Sequence, residues 1–217
     1  MYGTSPEIGA DRSNEYLKSI AEKKESGFFE ADFVNPHKAR EELTQQFAWA
    51  IPTREAIAEI VIRCNQYKVQ HIVSVGAGTG YWESLIAKDW GELRVHAYDT
   101  SPPSEEGENP YRHKVQHYPV KQGGPEKAAE HWDTSALFLC WPPYDDPMAE
   151  EALEAFTGKV VIYIGEGWGG CNGTDKFFSA LREGWEEVSD VSLPQWYGIH
   201  DYMTIYRRKG VQPAFII

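Results

Sequence analysis

Apolar and amphipathic stretches alternate along most of this chain. Runs dominated by apolar residues occupy positions 71–75, 136–140 and 160–164. Strands at the centre of a parallel sheet are covered on both faces, so these runs predict buried parallel strands. The segments between them carry apolar residues at helical spacing, for example, after the good N-cap Thr53, at Ile57, Ile60, Val61 and Cys64. This alternation predicts an α/β fold with a doubly wound, mostly parallel sheet.

The first fifty residues follow a different pattern. Residues 1–50 are predicted to form a helical extension or cap, with helices over Asn14 to Glu25 and over His37 to Trp49. The first of these segments is charged and has few apolar positions, so an exposed arm and an ordered cap are both open alternatives. Ile51-Pro52 then breaks the chain, and residues 51–217 are predicted to be the α/β domain.

A glycine-rich turn follows the first predicted strand. The segment Val75 to Gly80 leads from an apolar run directly into an amphipathic helix, which places backbone N–H groups and the helix N-terminus against a nucleotide-like ligand. A dinucleotide fingerprint needs a small residue at position 81, and this chain has Tyr81. The spacing therefore argues against an NAD site. The backbone residues expected to contact the ligand are Gly76, Ala77, Gly78 and Gly80.

An acidic residue lies at the expected distance after this turn. The segment 93–99 is predicted to be the second strand, and it ends at Asp99. A carboxylate at this place accepts hydrogen bonds from ribose hydroxyls. Turn, helix and strand-terminal acid together predict a nucleotide-type cofactor, whereas a tight turn beside a solvated Asp99 is the structural alternative.

Charge and composition restrict the partners. The chain has 217 residues and a net charge of −12, from 21 basic and 33 acidic residues. Nucleic-acid binders usually carry a basic footprint, so this balance argues against a nucleic-acid substrate. No apolar run approaches the length of a membrane span, and residues 1–7 do not resemble a secretory signal. The 3 cysteines are scattered and form no metal-ligand spacing, which predicts no metal site and a cytoplasmic location.

The motifs taken together resemble those of class I S-adenosylmethionine-dependent methyltransferases. Val75 to Gly80 is similar to motif I, Asp99 to the ribose-binding acid, and Leu139 to Tyr144 to motif IV. The set also looks like a methyltransferase-like family with no assigned substrate. The resemblance implies a seven-stranded sheet whose last strand inserts antiparallel, with S-adenosylmethionine as cofactor. It also implies that Cys140 and Trp141 contact that cofactor.

Two positions depart from the family pattern. Motif I often carries an acid two residues before its first glycine, and this chain has Ser74 there. The acid that often binds adenine after the third strand has no clear equivalent. Gln122 lies in that stretch and is expected to hydrogen-bond the adenine amino group instead.

Two residues are candidates for acceptor chemistry. Trp141-Pro142-Pro143-Tyr144 resembles the Asn/Asp-Pro-Pro-Tyr motif of amino methyltransferases, but the indole of Trp141 is a donor only and cannot accept from an amine. Tyr144 is expected to stack on the acceptor, although a rigid turn is the plain alternative. Glu166 follows the strand at 160–164 and is expected to act as a general base or to bind an amine. An exposed loop carboxylate is its alternative.

The leading hypothesis is methyl transfer from S-adenosylmethionine to a small-molecule or protein acceptor. The resemblance does not identify the acceptor. A non-catalytic binding protein that keeps the fold is the alternative, favoured by Ser74, Trp141 and the missing adenine acid. An NAD-linked oxidoreductase is a third hypothesis, opposed by Tyr81.

Overall fold

A computed structural model describes residues 13–25, 36–89, 92–103, 111, 115–130 and 134–214. The helices in these ranges are α1 (Glu15–Glu25), α2 (Pro36–Gln46), α3 (Arg54–Gln66), α4 (Tyr81–Asp89), α5 (Met148–Ala155) and α6 (Asp175–Gly184), with a 3-10 helix over Pro125–Ala129. The strands are β1 (His71–Val75), β2 (Arg94–Asp99), β3 (Val120–Gln122), β4 (Ser135–Cys140), β5 (Val160–Gly165), β6 (Trp185–Ser192) and β7 (Tyr202–Arg208). None of the helices in these ranges combines the length and apolarity that crossing a membrane requires.

The strands form a single sheet in the order β3-β2-β1-β4-β5-β7-β6. β1 to β5 run parallel, and β7 inserts antiparallel between β5 and β6. The predicted seven-stranded α/β sheet with an antiparallel last strand is confirmed. The sequence pattern predicts the third strand over Val115 to Val120, but the strand begins only at Val120 and pairs with β2 as far as Gln122 opposite Asp99. Sequence alternation in so short an edge strand leaves its ends undetermined.

The order of the strands creates a crevice at the carboxyl edge of the sheet. β2 lies on one side of β1, and β4, which the chain reaches from β3, lies on the other, so the direction of strand addition reverses beside β1. Ligands bind at such switch points in open α/β sheets. Helices cover both faces, and two buried apolar clusters fill the space beneath them.

Capping and burial explain the helix that precedes β1. The Thr53 side chain accepts a hydrogen bond of 3.1 Å from the backbone N–H of Ala56, which confirms the predicted N-cap of α3. The apolar positions at helical spacing, Ile57, Ile60, Val61 and Cys64, are all buried against the sheet.

The N-terminal helices pack on the start of α4. Tyr16 stacks on Phe47 with ring centroids 4.7 Å apart, and its backbone N–H donates to the Tyr81 hydroxyl at 3.0 Å. The Thr79 hydroxyl donates to the Phe47 carbonyl, and the Trp82 indole donates to the Ala50 carbonyl. The described part of the extension is therefore an ordered element fixed to the glycine turn, and Trp49 lies just beyond the end of α2.

Candidate cofactor site

A cavity of about 630 Å³ lies at the carboxyl edge of the sheet. This size falls within the range of about 300–1,000 Å³ that is usual for small-molecule sites. Its walls come from segments at or just after the ends of the first four strands, namely residues 76–79, 99–100, 123–125, 140–141 and 143–144, and from Met148 on α5. The N-terminal extension adds Ala48 and Trp49 at the rim. The crevice expected from the topology is thus an open cavity.

The glycine turn forms one wall of this cavity. Gly76, Gly78 and Gly80 have φ values of 75°, 54° and 71°, a region that L side chains rarely adopt. A Cβ added at Gly76 would lie 2.9 Å from the Cε of Met148. Because the methionine end is flexible and can shift, substitution of Gly76 would be opposed mainly by backbone strain.

Four backbone N–H donors of the turn are already used within the protein. The N–H groups of Gly76 and Ala77 donate to the Tyr98 carbonyl at 2.9 and 3.0 Å, and that of Gly80 donates to the Ala77 carbonyl at 2.9 Å. The fourth N–H, that of Gly78, donates to Asp99. A phosphate-binding turn needs free N–H groups. These four N–H groups are bonded within the protein, and contact between the turn and a ligand stays a prediction.

Asp99 joins the turn to the end of β2. One carboxylate oxygen accepts from the Gly78 N–H at 2.9 Å, and the other accepts from the Ser101 N–H at 2.8 Å. The carboxylate also lines the cavity. Since each carboxylate oxygen has two lone pairs, both oxygens can still accept from a ligand hydroxyl.

Glu83 is a cavity residue that sequence reasoning missed. It lies in the first turn of α4, is 2% exposed and accepts a hydrogen bond of 2.6 Å from the Ser74 hydroxyl. Burial raises the pKa of Glu83 to about 7. The signals available in the sequence were an acid on the otherwise apolar side of α4 and the missing acid at Ser74, but nothing local joined them.

Trp141 lies at the end of β4 with its ring in the cavity wall. Its φ of 54° is unusual for a bulky residue, and its ring stacks on Trp49 with centroids 4.9 Å apart. The indole N–H donates to Asp201 at 2.7 Å. Asp201 is fully buried, its second carboxylate oxygen has no hydrogen-bond partner among the described residues, and burial raises its pKa to about 7.

Two further predicted residues, Cys140 and Tyr144, also line the cavity. Burial raises the pKa of the Cys140 thiol, which keeps it neutral. The side chain of Tyr144 is 71% exposed and stands at the mouth of the cavity. Tyr144 is therefore accessible to a molecule that enters from solvent.

The remaining predicted residues do not line the cavity. Gly80 lies behind the turn against Tyr118, and Gln122 is exposed on β3, one residue before the wall begins at Gly123. Glu166 is 6% exposed and accepts 2.8 Å hydrogen bonds from the backbone N–H groups of Cys171 and His200. Burial raises its pKa, but these donors outweigh burial and leave the pKa below its usual value. These contacts are those of a loop anchor, and its role as a base stays a prediction.

The described lining of the cavity is acidic. Its charged side chains are carboxylates, and no Lys, Arg or His belongs to the lining within the described ranges. The carboxylates are those of Glu83, Asp99, Asp146 and Glu151. Across the same ranges, no group of three or more His, Cys, Asp or Glu side chains could hold a metal ion.

Comparisons with known proteins add the following. No family model matches the chain, and no curated protein matches it. It is similar to the solved structure of the N-methyltransferase NodS from Bradyrhizobium japonicum WM9 in complex with S-adenosyl-L-homocysteine, at 12% identity and a TM-score of 0.48, covering 72% of this chain and 87% of that one. It is also similar to a precorrin-6y C5,15-methyltransferase from Geobacter metallireducens GS-15, at 14% identity and a TM-score of 0.47, covering 76% and 93% of the two chains. Such likeness concerns the fold alone.

Proposed function

We propose that this chain binds S-adenosylmethionine and transfers its methyl group to a small-molecule or protein acceptor. One observation carries the proposal. The Asp99 carboxylate and the glycine turn line the same cavity, and the backbone N–H of Gly78 donates a hydrogen bond to Asp99. A carboxylate at a strand end suits ribose hydroxyls, and a turn rich in glycine admits a ligand close to the backbone.

The charge of the site favours this cofactor over a dinucleotide. A pyrophosphate needs free N–H donors or basic side chains, whereas four of the N–H donors of the turn are bonded within the protein and the described lining is acidic. A sulfonium compound with an ammonium group carries positive charge where this cavity carries carboxylates. Bound there, the cofactor would supply a methyl group activated by its positively charged sulfur.

The acceptor is proposed to be neutral or cationic. An anion would be repelled by the carboxylates of Asp146 and Glu151, which line the same cavity as Tyr144. The exposed Tyr144 ring offers a planar surface on which an acceptor can stack and be oriented. The acidic cavity also supports the expectation that nucleic acid is not the acceptor. A cytoplasmic location is part of the proposal.

A second candidate is a binding protein that keeps the fold without turnover. Trp141 favours it. Its indole N–H donates to Asp201, and its ring stands where a polar side chain would accept a hydrogen bond from an acceptor amine. In this case the cavity would hold the cofactor, but the side chain at position 141 would not bind an acceptor amine.

Calorimetry with S-adenosylmethionine, S-adenosylhomocysteine and NAD tests the proposal. We expect both sulfur-containing ligands to bind and NAD to fail. If neither S-adenosylmethionine nor S-adenosylhomocysteine binds, the proposal is overturned. Transfer of a labelled methyl group to components of a cell extract separates the two candidates, since tight binding without transfer supports the non-catalytic one.

A further inference from the structure

Glu83 is a buried carboxylate that faces the cavity without a cation. Its side chain is almost fully buried, and its hydrogen-bond partner among the described side chains is the neutral Ser74 hydroxyl. No Lys, Arg or His within the described ranges forms an ion pair with it. Since buried charges in proteins are normally paired, this carboxylate lacks a partner that a ligand could provide.

The position of Glu83 in α4 does not by itself account for this burial. An acid in the first turn of a helix is favoured by the helix dipole, but the same benefit is available to an exposed side chain. Here the carboxylate accepts from Ser74 near the end of β1 and lines the same cavity as Cys140 and Trp141. A structural role alone would leave an acidic group desolvated beside an open space.

The order of the strands indicates which part of the proposed cofactor would lie near Glu83. Asp99 ends β2, the residues after β3 lie on one side of it, and β1 and β4 lie on the other. Gly123, Gly124 and Pro125 form a neutral wall at the β3 end, which suits a flat adenine ring. With its ribose on Asp99, the cofactor would then extend its amino-acid arm over the glycine turn towards β1 and β4.

We propose that the Glu83 carboxylate binds the ammonium group of the cofactor's amino-acid arm. The inference rests on the proposed function, because it requires S-adenosylmethionine or its product in this cavity. It assigns to a residue of α4 the negative charge that Ser74 does not supply from β1. Burial holds the pKa of Glu83 near neutrality, so an ammonium group in contact would favour the ionised form.

A comparison of two ligands on two proteins isolates this contact. The ligands are S-adenosylhomocysteine and its analogue in which the ammonium group is replaced by hydrogen, and the proteins are the wild type and Glu83→Gln. In the wild type we expect the analogue to bind at least about tenfold more weakly, as for the loss of a charge-assisted hydrogen bond. In Glu83→Gln the two affinities should converge to within about threefold, because the protein no longer has the negative charge that favours the ligand with the ammonium group.

Glu151→Gln is the matched control, since it removes another negative charge from the same lining at an exposed position. It should keep the wild-type ratio between the two ligands. Equal affinities in the wild type, an unchanged ratio in Glu83→Gln, or a ratio lost equally in Glu151→Gln would each overturn the inference while cofactor binding stands. Failure of the wild type to bind S-adenosylhomocysteine would instead overturn the proposed function, and the inference with it.

Discussion

The Ser74 hydroxyl donates a hydrogen bond of 2.6 Å to the Glu83 carboxylate across the junction of β1 and α4. The two residues flank the glycine turn, one just before it and the other in the helix that follows it. Ser74 is 1% exposed and Glu83 is 2% exposed, so the pair is sealed from bulk water except on the cavity side. Removal of the charge of Glu83 should therefore change stability with a definite dependence on pH.

Glu83→Gln should stabilise the ligand-free protein above neutral pH. Folding raises the pKa of Glu83 from 4.5 to about 7, so the native state binds more protons than the unfolded state between these values and stability falls as pH rises. We expect the variant to gain up to about 3 kcal/mol at pH 8 relative to pH 4, since one pKa unit corresponds to about 1.4 kcal/mol. Urea unfolding of both proteins at the two pH values measures this.

The groups that face Glu83 set the control for this experiment. They are Ser74 on β1, Asp99 on β2, Cys140 on β4 and Tyr118 before β3. Asp201 also titrates near pH 7 and is retained in the variant, so part of the wild-type slope should remain. An unaltered slope in Glu83→Gln would show that its carboxyl is not desolvated in solution.

Asp99→Ala should weaken binding of S-adenosylhomocysteine at least about tenfold, the loss expected for charge-assisted hydrogen bonds to ribose. Asp99→Asn should lose less, because its amide oxygen can still accept from the Gly78 N–H and preserve the turn. Titration calorimetry at fixed salt gives both affinities. If the alanine variant binds as tightly as the wild type, ribose lies elsewhere.

Asp201 should orient Trp141 through the indole hydrogen bond. Asp201→Ala leaves the indole N–H without its acceptor, whereas Asp201→Asn keeps an acceptor oxygen and removes the charge. We expect the alanine variant to be less stable than the asparagine variant by about 1 kcal/mol, the usual cost of an unmade hydrogen bond at a partly exposed donor. Equal unfolding free energies at pH 6 would show that this hydrogen bond does not orient the ring.

Local patterns predicted most of the fold. The apolar runs of β1, β4 and β5, the cap at Thr53 and the acid at the end of β2 are each determined by neighbouring residues, so the sequence alone located them. The edge strand β3 was misplaced because three residues give little periodicity. Its register with β2 leaves Gln122 exposed and puts Gly123 in the cavity wall.

The candidate site was predicted less completely, because several of its contacts join distant segments. Trp49 reaches the cavity only because the extension packs on α4. Its ring stacks on that of Trp141, which is distant in the sequence. The side chain of Glu83 points inward and lines the cavity, an orientation that the spacing of residues in the sequence does not reveal. The cavity position of Asp99 was recognisable, since motif order and strand polarity together determine it.

Glu166→Gln should destabilise the protein at neutral pH rather than weaken cofactor binding. Its carboxylate accepts from the backbone N–H groups of Cys171 and His200, which hold its pKa below the usual value despite burial. The stabilisation is present above pH 4.5, the ordinary value, and is lost as pH falls through the lower folded pKa. At pH 7 we expect a loss of about 1–3 kcal/mol that narrows in acid, with exposed Glu154→Gln as an unaffected control. Urea unfolding from pH 7 to pH 3 measures it, and lost turnover at unchanged stability would instead assign Glu166 a catalytic role.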